Sequence, residues 1–173
     1  MQLAAVRNLL GENSAHAKGI INELSQDLRQ AMGDIRGLVY DLRPPMLDEL
    51  GLVAAIRSLD VVESPLRLEV NAPQNMQTLS AAAEVAVFRI VNEALQNARL
   101  HGEANTCVVS LTVNSGQLTL NIVDNGNGMD ADITPGVGLE SMKERAAELG
   151  GTFTIHSTPG SGTRIEVNLP LER

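Results

Sequence analysis

Two adjacent prolines, Pro44 and Pro45, cut the chain into stretches that follow different periodicities. Neither proline has a backbone N–H, and the first drives Arg43 out of the helical region, so a helix running into the pair must stop there. Ahead of them, apolar residues recur at Ile21, Leu24, Leu28, Ala31, Ile35, Leu38 and Leu42, stepping by three and four as a coiled-coil seam does. The start, MQLAAVRNLL, reads as a shorter helix, and Gly11-Glu12-Asn13-Ser14 carries residues that stop one helix and cap the next. Residues 1–43 are therefore expected to form part of a helical hairpin that seeks partner helices.

Beyond the prolines, Asp48 is expected to cap a short helix reaching about Val61, which makes 44–65 a hinge and linker helix. The pattern then turns to strands. Leu66 to Val70 alternates, Ser80 opens a long amphipathic helix to about Leu100, and two strands, Cys107 to Val113 and Gln117 to Val123, meet at Asn114-Ser115-Gly116. A helix from about Leu139 to Leu149 ends at Gly150-Gly151, and Thr152 to Ser157 and Thr163 to Leu169 close as a hairpin. Mostly antiparallel strands with interspersed helices predict an α+β domain over 66–173: a two-layer α/β sandwich with a mixed, mostly antiparallel sheet.

Composition narrows the function. A formal net charge of -8 argues against nucleic acid as a partner, because phosphate backbones are gripped by clustered Lys and Arg. Cys107 is the single cysteine and stands in an apolar run, so it reads as a small buried hydrophobe suited to a reducing compartment. No apolar run approaches the roughly 20 residues that cross a bilayer, and the start lacks a signal peptide's apolar centre. The segment is expected to make no membrane contact and to lie in the cytoplasm, as part of a parent that could be anchored elsewhere.

On the Ser80 helix, Arg89, Glu93, Asn97 and His101 are spaced by four and form a polar stripe beside the apolar stripe of Ala83, Val87, Ile90, Ala94 and Ala98. A single Glu or Asn there would be an ordinary solvated face. Further along, Val123-Asp124-Asn125-Gly126-Asn127-Gly128 places a carboxylate at a strand end, followed by glycines that let backbone approach a ligand closely. Alone, Asp-Asn-Gly is a common turn signal. Gly136-Val137-Gly138-Leu139 leads into a helix, where unpaired N–H groups favour phosphate, and Gly160-Ser161-Gly162-Thr163 precedes the last strand. Each motif is weak by itself, and their order carries the weight.

In that order the motifs resemble the ATPase fold shared by gyrase, the Hsp90 chaperone, sensor histidine kinases and MutL proteins, over roughly Leu66 to Leu171. The run Tyr40-Asp41-Leu42-Arg43-Pro44-Pro45-Met46-Leu47-Asp48-Glu49-Leu50-Gly51-Leu52 resembles the junction between hairpin and ATPase domain in histidine kinases related to nitrate sensors. The resemblance implies ATP and Mg²⁺ as cofactors. It gives Asn97 the role of magnesium ligand, Glu93 that of orienting magnesium-bound water or assisting proton movement, and Asp124 that of accepting from the adenine amino group. His101, Val137 and Leu139 would contact nucleotide, Gly126, Gly128, Gly136 and Gly138 would shape the lid, and Thr163 would help hold adenine. Partners implied are a response regulator receiver domain and, through the hairpin in an intact parent, a second copy of the chain.

The sequence departs from the family in two places. Family members generally carry a basic residue just before the histidine at position 101, whereas Leu100 stands here and Arg99 lies one place earlier, turned by about 100° on a helix. The family's phosphorylated histidine, followed by an acidic residue, is also missing. His16 precedes Ala17 and falls after the Gly11 turn, so it reads as a solvent-facing histidine. The chain is expected to begin inside the first hairpin helix of a longer kinase and to be unable to phosphorylate itself. Two other readings stay open: an anti-sigma-factor-like serine kinase or binding module of the same fold, and a dimerisation element with an empty nucleotide site.

Overall fold

A computed structural model describes residues 43–60, 65–76, 78–129 and 136–171. The hairpin expected ahead of the prolines, His16 included, and the lid residues 130–135 lie outside the described residues. Pro44–Arg173 packs as one compact unit.

In place of the single linker helix expected from Asp48 to Val61, two short helices follow the prolines: α1 (Pro45–Leu50) and α2 (Leu52–Arg57). Pro45 sits in the first turn of α1, where a missing N–H costs nothing, and Asp48 lies inside the helix rather than at its cap. Gly51, at φ 74, separates the two in a conformation that L side chains rarely adopt. Leu47, Leu52, Ala55 and Ile56 are buried in the domain's core, so this linker belongs to the domain it introduces.

The remaining elements are β1 (Arg67–Asn71), α3 (Ala81–Leu100), β2 (Thr106–Asn114), β3 (Gln117–Asp124), α4 (Val137–Glu148), β4 (Thr152–Ser157) and β5 (Thr163–Pro170). The five strands form one sheet in the order β1-β2-β3-β5-β4. Only β1 and β2 are parallel, and the long crossover such a pair requires contains α3. The β2–β3 hairpin closes on Ser115 and Gly116, both at positive φ, which matches the right-handed twist of the two strands.

Helix α3 starts where Ser80 Oγ accepts from the Ala83 amide at 3.2 Å. Its apolar stripe is buried as expected, with Val87, Ile90, Val91 and Leu95 fully enclosed. Opposite lie alternate residues of the strands: Cys107, Val109 and Leu111 on β2, Leu118, Leu120 and Ile122 on β3, and Ile165, Val167 and Leu169 on β5. Burying each large aliphatic side chain of this kind stabilises the fold by about 1.5–3 kcal/mol. The other sheet face is polar and half-exposed, tied by Thr119 Oγ1 to Asn168 Oδ1 at 2.7 Å and by Arg164 Nη2 to Asn121 Oδ1 at 3.0 Å. Helices on one face and solvent on the other make this the two-layer sandwich. Among the described residues no helix is long and apolar enough to cross a membrane.

Cys107, buried between β1 and β3, has its thiol pushed up to about 12, first by burial and then by the nearby Asp124 carboxylate, with the Arg99 charge pulling the other way. The folded chain therefore holds this proton more tightly than the unfolded chain. That stabilising contribution is whole below the ordinary value of 9.0 and fades as pH rises from there toward 12. Cys107 is expected to resist iodoacetamide at pH 8 in the native protein and to react readily once urea unfolds it. Rapid native labelling would show that the strand is not closed over the thiol.

Candidate functional site

Asp124 ends β3 opposite Cys107, and the chain leaves the sheet there in a tightly tied loop. Its Oδ1 accepts from the Gly126 amide at 2.9 Å and from the Thr163 amide at 3.2 Å. Among the described residues Oδ2 has no donor. Asn125 Oδ1 receives the amides of Asn105 and Thr106, both at 2.9 Å, which fixes the loop to the start of β2. Asn127 then donates to the Gly102 carbonyl at 2.7 Å and accepts from the Gly160 amide at 2.7 Å. The loop thus bridges the end of α3 and the β4–β5 turn.

The glycines are explained by what a side chain would strike. A Cβ on Gly126 would meet the Gly102 backbone, and one on Gly128 would meet the Thr158 carbonyl. Gly138 faces the Glu93 carboxylate, which occupies the place its Cβ would take. Gly136 has open space, and with Val137 it forms the beginning of α4, two residues earlier than expected. The glycine pair therefore lies in the helix's first turn, where amides have no intrahelical acceptor.

These pieces surround a cleft of about 500 Å³ lined by Glu93, Asn97, His101, Asp124, Gly128, Gly136, Val137, Gly138, Leu139 and Thr163. Of the residues singled out for the site, only Gly126 does not line it. Gly126 is buried instead, and a Cβ there would meet the backbone of Gly102 at the end of α3. Arg89, first in the polar stripe, also stays outside. Ala94, Gly102, Met129, Ile155 and Ile165 complete the lining, an apolar floor that strand alternation alone could not distinguish from core.

Glu93 and Asn97 stand one turn apart on α3, half-buried, and neither side chain has a hydrogen-bond partner among the described residues. Thr163 Oγ1 lies 2.9 Å from Ser157 Oγ. Ser157 accepts from the Met129 amide at 2.9 Å and gives its proton to the Gly162 carbonyl at 3.1 Å. Thr163 must then be the donor of the pair, which leaves it an acceptor toward the cleft. Arg99 turns away from the cleft, its Nη2 donating to the Leu59 carbonyl at 2.7 Å, and Leu100 is exposed.

Residues 82–173 match the family described as histidine kinase-, DNA gyrase B- and HSP90-like ATPase. The chain belongs to this ATPase family. Among its relatives, the sensor histidine kinase LiaS of Bacillus subtilis is 44% identical over 95 residues, covering 54% of this chain and 26% of LiaS. The sensor protein VraS of Staphylococcus haemolyticus is 45% identical over 89 residues, covering 50% of this chain and 26% of VraS. The chain thus spans about a quarter of the length of these curated relatives. Among solved structures, the Acinetobacter baumannii histidine kinase AdeS shares the fold with a TM-score of 0.60 at 18% identity, covering 99% of this chain and 98% of AdeS. The ATP-binding domain of PrrB from Mycobacterium tuberculosis does so with a TM-score of 0.56 at 23% identity, covering 70% of this chain and 92% of that one. ATP binding follows from the family, and both curated relatives are named as sensor proteins or sensor histidine kinases.

Proposed function

We propose that the chain is the ATP-binding catalytic region of a two-component sensor histidine kinase, donating the γ-phosphate of Mg-ATP to a histidine on a hairpin for relay to a response regulator aspartate. The observation that carries this reading is the convergence of Asp124 and Asn97 on one cleft, each with side-chain atoms that have no partner among the described residues. Asp124 Oδ2 would accept from the adenine amino group, which discriminates against guanine because guanine presents an acceptor there. Ile155, Ile165 and Met129 would lie against the base, with Thr163 accepting beside it. The first amides of α4 and the Gly136-Val137-Gly138-Leu139 turn would face the phosphate end.

The donor set suits magnesium brought in with nucleotide. No three carboxylates, histidines or cysteines gather into a metal cluster among the described residues. The cleft instead offers the Asn97 amide oxygen and the Glu93 carboxylate, the sparse oxygen set that Mg²⁺ takes alongside phosphates and waters. When bound, the ion would neutralise phosphate charge during transfer. Asn97 would fix its position, and Glu93 would orient a bound water or take up a proton.

ATP titrated in the presence of magnesium is expected to bind the wild-type chain, and Asn97→Ala should remove the metal-dependent part of the affinity. An Asn97→Ala chain that keeps the full magnesium effect would place the ion elsewhere. The three histidines of the chain, His16, His101 and His156, do not sit in an acceptor motif. Incubation with labelled ATP should therefore leave no acid-labile label on the chain, and strong labelling of His16 would contradict this. A receiver domain and a second copy of the chain remain the proposed partners of the parent. An anti-sigma-like serine kinase would use the same cleft, and supplying either a hairpin histidine with its receiver or a serine-bearing partner separates the two readings.

A further inference from the structure

Arg99 lies two residues past Asn97, so it leaves α3 about 200° around the helix, on the side away from the cleft. Its Nη2 donates to the carbonyl of Leu59, just beyond the α2 C-cap at Ser58, at 2.7 Å. The Nε atom is buried without a hydrogen-bond partner among the described residues. As a stabiliser this is a poor arrangement, since part of the guanidinium is desolvated without a compensating partner among the described residues. As a fixed strut between two elements it is well made.

The turn it holds is the one on which the cleft depends. Asn97 O accepts from the amides of His101 and Gly102, both at 3.0 Å, and Ala98 O accepts from Ala104 at 3.0 Å. Gly102 O receives Asn127, and Gly126 packs on Gly102, so the loop after Asp124 takes its position from the end of α3. The Arg99 charge and the Asp124 carboxylate both act on the Cys107 thiol, which puts the guanidinium within electrostatic reach of the strand end bearing Asp124. At the other end of the strut, α2 is anchored in the core by Leu52, Ala55 and Ile56.

We infer that Arg99 is a positioning residue that ties the end of the linker helix α2 to the last turn of α3, so that the linker sets the spacing between Asn97 and Asp124. A change at the linker is thereby transmitted to the nucleotide site without any contact between Arg99 and nucleotide. The inference rests on the nucleotide reading proposed above.

The test compares wild type, Arg99→Met and Arg99→Lys by calorimetric titration with Mg-ATP, together with the NMR signal of the Arg99 Nε–H in the wild-type chain. Arg99→Met should bind Mg-ATP about tenfold more weakly, in line with the loss of a supporting partner behind a ligand. Arg99→Lys, whose ammonium can still donate to the Leu59 carbonyl, should recover most of the affinity. The wild-type Nε–H signal should shift on saturation with Mg-ATP. A folded Arg99→Met chain that binds as wild type does would overturn the inference, as would an Nε–H signal that Mg-ATP leaves unmoved should Arg99→Met fail to fold. Wild type that binds no Mg-ATP would instead bring down the functional reading, and this inference with it.

Discussion

Asp124→Asn is expected to weaken ATP binding by about 10- to 100-fold, the equivalent of roughly 1.4–2.8 kcal/mol, while leaving the domain folded. The asparagine carbonyl can still accept from the Gly126 and Thr163 amides, as Asp124 Oδ1 does at 2.9 and 3.2 Å, so the loop keeps its ties. What changes is the atom facing the cleft. An acceptor is replaced by an NH₂ group, which opposes the adenine amino group donor to donor and would favour a base presenting a carbonyl there. Titrating ATP and GTP into both chains reads the effect as a ratio. If Asp124→Asn binds ATP as tightly as wild type, the adenine lies elsewhere.

The charge lining the cleft makes the other half of the site sensitive in a different way. Among the described lining residues are two carboxylates, Glu93 and Asp124, one histidine, and neither lysine nor arginine. Leu100 stands at the position where the family generally carries a basic residue, and Arg99 is engaged with Leu59. On the proposed reading, triphosphate charge would be met by the amides at the start of α4, by His101 and by a metal that Asn97 would hold. That balance is why Asn97→Ala is expected to cost the chain its magnesium dependence.

Local patterns made much of the fold legible. Ser80 marked the start of α3 because its hydroxyl caps the helix, and strict alternation marked β2, β3 and β5 because one face of the sheet is buried and the other wet. Other features depend on contacts distant in sequence. Gly51 breaks the linker into two helices through a positive φ, and the burial of Leu47 and Ile56 depends on a core made later in the chain. Ile155 and Ile165 read as strand residues, and only the fold places them under the cleft beside Asp124. The family resemblance gives Gly126 a part in shaping the lid. A Cβ there would meet the backbone of Gly102, 24 residues back, a closeness that no spacing rule records.

Two glycines of the β4–β5 turn separate the effect of conformation from that of close approach. Gly160 and Gly162 have nearly the same φ, 76 and 78. A Cβ on Gly160 would meet nothing within 4 Å, whereas one on Gly162 would meet the carbonyl group of Asp124 and the Cα of Asn125. Gly160→Ala should thus cost only the left-handed strain, about 1–2 kcal/mol. Gly162→Ala adds a backbone collision at the junction of β3 and β5, where Thr163 donates to Asp124 and neither strand can yield without breaking the ladder. With overpacking of about 1–3 kcal/mol added to the strain, the total is about 2–5 kcal/mol, a large part of a typical domain's stability. Because the displaced backbone belongs to Asp124, ATP affinity should fall in Gly162→Ala and hold in Gly160→Ala. Urea unfolding and ATP titration of the two variants side by side give the comparison, and equal midpoints would show that the approach of Gly162 to Asp124 is looser than the structure has it.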